Sequence, residues 1–282
     1  MKKLFYVITL ILSSNIAFSQ DALNIMTFNV RYNNAYDSLN AWPNRKDKLC
    51  SEILFHKADI IGVQEALADQ MTDMQTALKD YSYVGVGRDD GKTAGEYSAI
   101  FYNNKKLVVL HSATFWLSET PATAGKKGWD AVCNRIVTWA EIKDKVDGKI
   151  FFVFNTHFDH KGEIARRESA KLLLRAVDSI AGKQQAIVTG DFNAHPQDEP
   201  IQIITDAQNK LHLTDAKAIS QTPHYGPTGT FNGFKSMEES DQPIDYIFFN
   251  KEVTVLEHAT ISETWKGRFA SDHFAVYARV KL

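Results

Sequence analysis

The stretch Gln185-Ala186-Ile187-Val188-Thr189-Gly190-Asp191-Phe192-Asn193 is a short apolar run that gives way, within three residues, to a glycine, an acid and an amide. Its first half reads as a buried strand, too short for a helix, and its second half as the place where that strand ends. The same grammar recurs along the chain. Leu23 to Val30 reads as a strand ending in Thr27-Phe28-Asn29, and Ile60-Ile61-Gly62-Val63-Gln64 ends in Gln64-Glu65. The aromatic and β-branched stretches Tyr81 to Leu117 and Ile136 to Phe158 read as successive antiparallel strands, the last closing on Asn155-Thr156-His157-Phe158-Asp159-His160. Tyr246 to Asn250, Val253 to Ser262 and Phe274 to Leu282 complete the strands, next to Ile244-Asp245-Tyr246 and Ser271-Asp272-His273.

Between the strands lie three helical patterns. Leu49, Cys50, Ile53 and Leu54 put one apolar face on Asn44 to Lys57, while Leu67, Met71, Met74 and Leu78 mark a second stripe. Glu163 to Ile180 is the longest. Many strands with interspersed helices predict an α/β sandwich: two mostly antiparallel sheets face to face, with helices outside. No internal repeat, low-complexity tract or Pro/Ser-rich linker divides residues 20–282, which predicts a single domain.

The 282 residues, 44% apolar and 23% charged, exclude a disordered or fibrous chain. Met1-Lys2-Lys3, the apolar run Leu4 to Leu12 and the small-residue end Ala17-Phe18-Ser19 have the order of a signal peptide over residues 1–19. That predicts export to a bacterial periplasm or exterior. No later run reaches membrane length, so no membrane insertion is expected, and no protein partner is implied. Without Lys2 and Lys3 the chain carries 30 Lys and Arg against 34 Asp and Glu, a net charge of −4. Such a balance argues against a dedicated nucleic-acid binder, yet allows an enzyme with a locally positive phosphate site. Cys50 and Cys133 either pair in an oxidising compartment or remain two free thiols.

Each polar strand end alone would pass for a helix cap, a turn or a satisfied core histidine. Six of them in order point to one convergent site on a rim of the sheets. In that order, Thr27-Phe28-Asn29, Gln64-Glu65, Asn155-Thr156-His157, Gly190-Asp191-Phe192-Asn193, Ile244-Asp245-Tyr246 and Ser271-Asp272-His273 resemble the endonuclease/exonuclease/phosphatase superfamily. Arg31-Tyr32, Trp42, Arg45-Lys46, Phe115-Trp116-Leu117-Ser118, Gly128-Trp129-Asp130 and Thr156 to His160 resemble its secreted bacterial branch, nearest to deadenylase-like members. The resemblance covers essentially the whole mature chain. It implies a four-layer α/β sandwich with the site at the top of the two sheets.

Hydrolysing a phosphate ester requires neutralised phosphoryl oxygens, an activated water and a protonated leaving group. Oxygen ligands without a cysteine cluster suit a hard divalent cation, with Mg²⁺ expected and Mn²⁺ or Ca²⁺ as alternatives. By resemblance, Glu65 is the principal metal ligand, with Asn29 and Asp272 nearby, directly or through water. His273 oriented by Asp245, and His157 partnered by Glu96, are the implied acid–base pairs, with no assignment of which gives and which takes the proton. Asp191 orients or deprotonates the water, and Asn193 offers its amide to a phosphoryl oxygen. Arg135 reads as a phosphate clamp, because a guanidinium binds phosphate in a fork. Arg31 either binds phosphate or pairs with an acid. Asn29 can also touch substrate, and Asp159 and His160 either contact it or hold their loop. Trp42, Trp116, Trp129 and Trp265 are expected mainly in the core. His195 is expected in a turn.

The expected activity is metal-assisted hydrolysis of phosphodiesters, of nuclease or nucleotide phosphodiesterase type, on a substrate that is a nucleotide, a nucleic acid or another phosphate ester. The alternatives are sugar, inositol or lipid-headgroup phosphates, and a module that binds such ligands without turnover. The loops Gln221 to Ser240 and Trp265 to Ala270 are expected to set substrate choice. A rim position for Asp191 and His273 predicts that replacing either by alanine abolishes turnover and spares folding.

Overall fold

The computed structural model describes residues 22–235 and 241–282. The expected signal peptide and part of the Gln221 to Ser240 loop therefore lie outside the described residues. The strands are β1 (Leu23–Asn29), β2 (Ile60–Ala66), β3 (Tyr81–Val84), β4 (Tyr97–Asn103), β5 (Leu107–Trp116), β6 (Ile136–Asp144), β7 (Ile150–His157), β8 (Gln185–Asp191), β9 (Thr214–Asp215), β10 (Asp245–Phe249), β11 (Thr254–Ile261) and β12 (Ala275–Lys281). They form two six-stranded sheets, ordered β11-β12-β1-β2-β4-β3 and β5-β6-β7-β8-β10-β9.

Helices α1 (Trp42–Phe55), α2 (Ala68–Ala77), α3 (Glu163–Ala181) and α4 (Glu199–Thr205) fall close to where apolar periodicity puts them, except α4. That helix, like strand β9 and the 3₁₀ turns Ala35–Asn40 and Ala216–Ile219, is too short to carry a periodic signal. Pro43 lets α1 begin two residues earlier than its apolar face suggests, because the first turn needs no proline N–H. Asp130 accepts from the backbone N–H groups of Ile164 and Ala165, and so caps α3 from a distant loop.

Three apolar clusters define the layers. Met26, Phe28 and Val63 pack with Leu49 and Ile53 of α1 and Met71 and Met74 of α2. Phe154 and Val188 pack with Leu173 and Val177 of α3 and Ile201 of α4. Between the sheets, Ile25, Ile60 and Val276 of one meet Ile142, Val153 and Ile187 of the other. The order is helix, sheet, sheet, helix, as expected. Strands buried on both faces explain why β1, β2 and β8 read as continuous apolar runs.

Toward one end of the interlayer the apolar contacts give way to a polar floor. Asn155 donates to the carbonyls of Val63 (2.9 Å) and Ala99 (2.8 Å) in the facing sheet. Its Oδ1 accepts from Gln64 (2.7 Å) and Thr189 (3.1 Å). Gly62 permits this approach, since a Cβ there would stand 2.6 Å from Asn155 Oδ1 and closer still to Thr189 Oγ1. Gly62→Ala is therefore expected to destabilise the fold by about 1–3 kcal/mol, as overpacking does, read as a drop in Tm. An unchanged Tm would mean the sheets separate freely there.

Topology explains why the polar strand ends converge. β1 runs parallel to β2 and β7 parallel to β8, so Asn29, Glu65, His157 and Asp191 end at the same edge. The antiparallel neighbours begin there: Asp245 opens β10 opposite Asp191, Glu96 precedes β4 and Arg135 precedes β6.

Candidate active site

At that edge lies a cavity of about 540 Å³. Arg31, Glu65, Glu96, Arg135, His157, His160, Asp191, Asn193, Asp272 and His273 all line it; Asn29 and Asp245 stand behind them. Three of these residues, Arg31, Glu65 and Asn193, hold left-handed backbone (φ 55°, 67° and 47°). At Glu65 this coincides with a bulge in the β2–β4 ladder. Such strain persists only where surrounding contacts over-determine it, and it clusters at functional sites.

His273 Nδ1 lies 2.9 Å from Asp245 Oδ2, and its Nε2 lies 3.8 Å from Asp191 Oδ2. Burial works against the imidazolium, but Asp245 and Asp191 outweigh it and push the pKa up to about 10. The expected pairing with Asp245 is present. Asp191, buried and beside Asp245, has its carboxyl raised to about 7.

The second pair differs from expectation. Glu96 Oε2 stands 3.9 Å from His157 Nδ1, beyond a hydrogen bond, and both of its oxygens are taken by Arg88, at 2.6 and 2.8 Å. Burial nevertheless raises Glu96 to about 7, with Arg88 opposing. His157 is neutral, its pKa held well below the usual histidine range by burial and by Arg135 and Arg88. Asn193 Nδ2 donates both to the Phe158 carbonyl (3.1 Å) and to His157 Nε2 (3.0 Å), which leaves the ring proton on Nδ1, facing Glu96. To serve a phosphoryl oxygen, Asn193 would have to release one of these bonds.

Asn29 also departs from the simple expectation of a ligand. Its amide nitrogen donates to Glu65 Oε1 (3.0 Å) and Asp191 Oδ2 (2.9 Å), and its oxygen accepts from the Arg31 backbone (3.0 Å). It spaces two carboxylates rather than turning an oxygen to the cavity. Arg31 is taken up by Asp37, at 3.0 and 3.1 Å, with Asp272 at 3.7 Å, which favours the ion-pair reading. Asp159 holds its loop, accepting from the backbone of Val132, Cys133, Lys161 and Gly162 and from Arg135 Nε. Arg135 Nη2 meets His160 Nδ1 at 3.0 Å, while Nη1 is buried without a partner among the described residues. An orphaned guanidinium N–H bordering a cavity suits an anion.

Glu65 and Asp272 suit a hard cation. Asp272 is raised by burial, with His273 opposing and Glu65 adding like-charge repulsion, and Asp191 faces the same space. A divalent cation relieves such crowding of carboxylates, and the oxygen donor set matches Mg²⁺ chemistry. Asp191, Asp245 and His273 also bring ligand atoms within 4.8 Å of one another. There, however, Asp245 is already engaged by His273 Nδ1 at 2.9 Å, which leaves Glu65 and Asp272 as candidate ligands.

Sequence reading missed Arg88, Tyr32 and Cys133 as cavity residues. The only signal for Arg88 was an arginine inside the glycine-rich turn Gly85 to Gly91. Phe231 of the first expected specificity loop lines the cavity, its ring 5.1 Å from His273, whereas no residue of Trp265 to Ala270 does. Cys50 and Cys133 are free thiols. Trp42 and Trp116 are buried, and His195 lies in a turn capped by Asp198.

Residues 26–273 match the model of the Endonuclease/Exonuclease/phosphatase family. The chain belongs to this family. A solved endonuclease/exonuclease/phosphatase from Bacteroides vulgatus is 44% identical and superposes with a TM-score of 0.89 over 93% of this chain and 100% of that one. A mannosyl-6-phosphatase from Bacteroides thetaiotaomicron is 35% identical, with a TM-score of 0.87 over 92% and 100% of the two chains. Nocturnin from Drosophila melanogaster is 26% identical over 86% of this chain and 42% of its own length. The chain spans 42% to 66% of the length of the curated relatives it matches. Members of this endonuclease/exonuclease/phosphatase family hydrolyse phosphate esters.

Proposed function

We propose that this chain is an exported, Mg²⁺-dependent phosphatase that hydrolyses small phosphorylated sugars. The observation that carries hydrolysis is His273 set between Asp245 and Asp191 over a cavity that also holds Glu65 and Asp272. For the substrate, the likeness to the mannosyl-6-phosphatase supports a monoester over the phosphodiester that sequence reading favoured. The cavity is of small-molecule size, and the net charge of −4 over residues 20–282 disfavours binding of a long nucleic acid. In this reading residues 1–19 direct export, to the periplasm or exterior, and residues 20–282 form one catalytic domain. No helix among the described residues is long and apolar enough to cross a membrane.

The phosphoryl oxygens would meet the free Nη1–H of Arg135 and the cationic ring of His273. Asp191, with a carboxyl near 7, is matched to accept the proton of the attacking water. Asp245 holds His273 in the tautomer and orientation that stabilise developing negative charge. On the other side, Glu96, gripped by Arg88 through both oxygens, and neutral His157 would border the departing oxygen, which takes its proton from solvent water. Glu65 and Asp272 would hold a divalent cation, which would supply further neutralisation of the phosphoryl oxygens.

The test is hydrolysis of hexose 6-phosphates beside a matching phosphodiester and short oligonucleotides, with Mg²⁺ and with chelator. The expected result is a kcat/KM for the sugar monoester at least about tenfold above that for the diester, roughly one hydrogen bond's worth of discrimination. A preference for the diester would overturn the sugar-phosphatase reading and restore the nuclease one.

A further inference from the structure

Helix α1 turns a guanidinium into the interior where no acid bonds it. Arg45 is 2% exposed, and its hydrogen bonds among the described residues all go to main-chain carbonyls. Nε donates to Asn40 (2.8 Å), Nη2 to Arg31 (2.7 Å), and Nη1 to both Val30 (2.5 Å) and Ala270 (3.1 Å). The rings of Trp42 and Phe234 cover its planar group at 5.1 and 5.6 Å. A buried, unpaired cation is costly, and an apolar side chain would fill the space at lower cost. The contacts it makes give it another use.

Its acceptors come from two segments that are remote in sequence. Val30 and Arg31 follow β1, where the chain leaves the sheet through the left-handed Arg31. Ala270 immediately precedes Ser271-Asp272-His273. The first segment fixes Glu65, since Asn29 Nδ2 bonds its Oε1 (3.0 Å) and the Tyr32 N–H bonds its Oε2 (3.1 Å). The second carries Asp272. Arg45 Nη1 bonds both segments at once, and Ser271 Oγ adds a neighbouring tie to the Asn29 carbonyl at 2.7 Å.

We propose that Arg45 is a positioning residue for the divalent-cation site, its fork of N–H groups fixing how the Glu65 and Asp272 carboxylates face each other. This rests on the reading that those two carboxylates hold the ion. Charge and geometry act in opposite directions here. A cation close to Asp272 and Glu65 weakens the binding of another cation, whereas a fixed spacing strengthens it. Arg45 remains charged at neutral pH, since burial lowers its pKa only to about 10. Removing the side chain therefore tightens metal binding if Arg45 acts only through its field, and weakens it if Arg45 acts by position.

The experiment is direct Mn²⁺ binding, by electron paramagnetic resonance of free Mn²⁺, to the wild-type chain and to Arg45→Lys, Arg45→Met, Ser271→Ala and Glu65→Gln. Circular dichroism sets a temperature at which each protein is folded. Both Arg45 variants are expected to bind Mn²⁺ about tenfold or more weakly, within the 10–100-fold typical of groups that orient ligands. Ser271→Ala should shift in the same direction by less, and it carries the test with Arg45→Lys if Arg45→Met does not fold. Wild-type affinity in Arg45→Lys and Ser271→Ala, or tighter binding in Arg45→Met, would overturn the inference. If Glu65→Gln abolishes binding while the Arg45 variants match wild type, the inference alone falls. If Glu65→Gln binds normally, or wild type does not bind Mn²⁺, the ligand assignment falls and the inference with it.

Discussion

Replacing His273 by glutamine is expected to lower kcat by about 10²–10⁴-fold, the range for losing a positioned acid–base group, with a much smaller change in KM. The ring is cationic because Asp245 touches Nδ1 and Asp191 faces Nε2. Glutamine keeps a polar side chain there but cannot carry the charge. Asp191→Asn should fall in the same range, because an amide cannot take the water's proton. Steady-state kinetics on a sugar phosphate, with circular dichroism to establish folding, checks both. Near-normal kcat in either variant would remove that residue from the reaction. The structure corrects one expectation about such variants. Asp191 and His273 are buried rather than rim-exposed, so alanine leaves polar neighbours unpaired. Asp191→Ala would leave one N–H of Asn29 Nδ2 and the Asn193 N–H without their acceptor, a cost of about 1–3 kcal/mol each. The isosteric asparagine keeps the shape and one of the two acceptors, so it costs less stability than alanine and, with the folding check, isolates the loss of chemistry more closely.

Glu65→Gln is expected to reduce turnover by about 10²–10⁴-fold at saturating Mg²⁺, since metal neutralisation of a phosphoryl group is worth several kcal/mol and each 1.36 kcal/mol is tenfold. The wild-type enzyme should lose activity in chelator and regain it on adding Mg²⁺, with Mn²⁺ as the comparison ion. The physical basis is the strained bulge at Glu65, whose carboxylate Asn29 and the Tyr32 N–H hold beside Asp272 and Asp191. Titrating the rate against Mg²⁺ concentration gives the check. Full activity in chelator, or a Glu65→Gln enzyme with an unaltered Mg²⁺ requirement, would contradict metal assistance through this residue.

The acids and histidines of the site were legible because each stands at a strand end, where an apolar run stops on a polar residue. Asp191, His157 and Glu65 carry that signal strongly. Arg88 does not, for it sits in a turn with no period, and its importance arises from the distant Glu96 it grips. Arg45 was equally hidden. Arg45-Lys46 entered the sequence reading only as part of a resemblance, with no role attached, whereas Arg45 is buried and bonded to Ala270, 225 positions away. His157 and Glu96 stand 3.9 Å apart, while the Arg88 guanidinium, which no periodic signal marks, grips the same carboxylate.

By itself, the sequence determined the alternation of buried strands and amphipathic helices, the sandwich class and the residue types of the site. Those follow from local periodicity and from where apolar runs stop. Only the tertiary structure decided which side chains share protons. The parallel pairs β1–β2 and β7–β8 bring four strand ends to one edge, and hydrogen bonds of 2.6 to 3.0 Å then choose among several nearby partners. Spacing along a chain fixes which face a residue occupies. Contact across 162 residues, as between Asn29 and Asp191, depends on the packing of whole sheets.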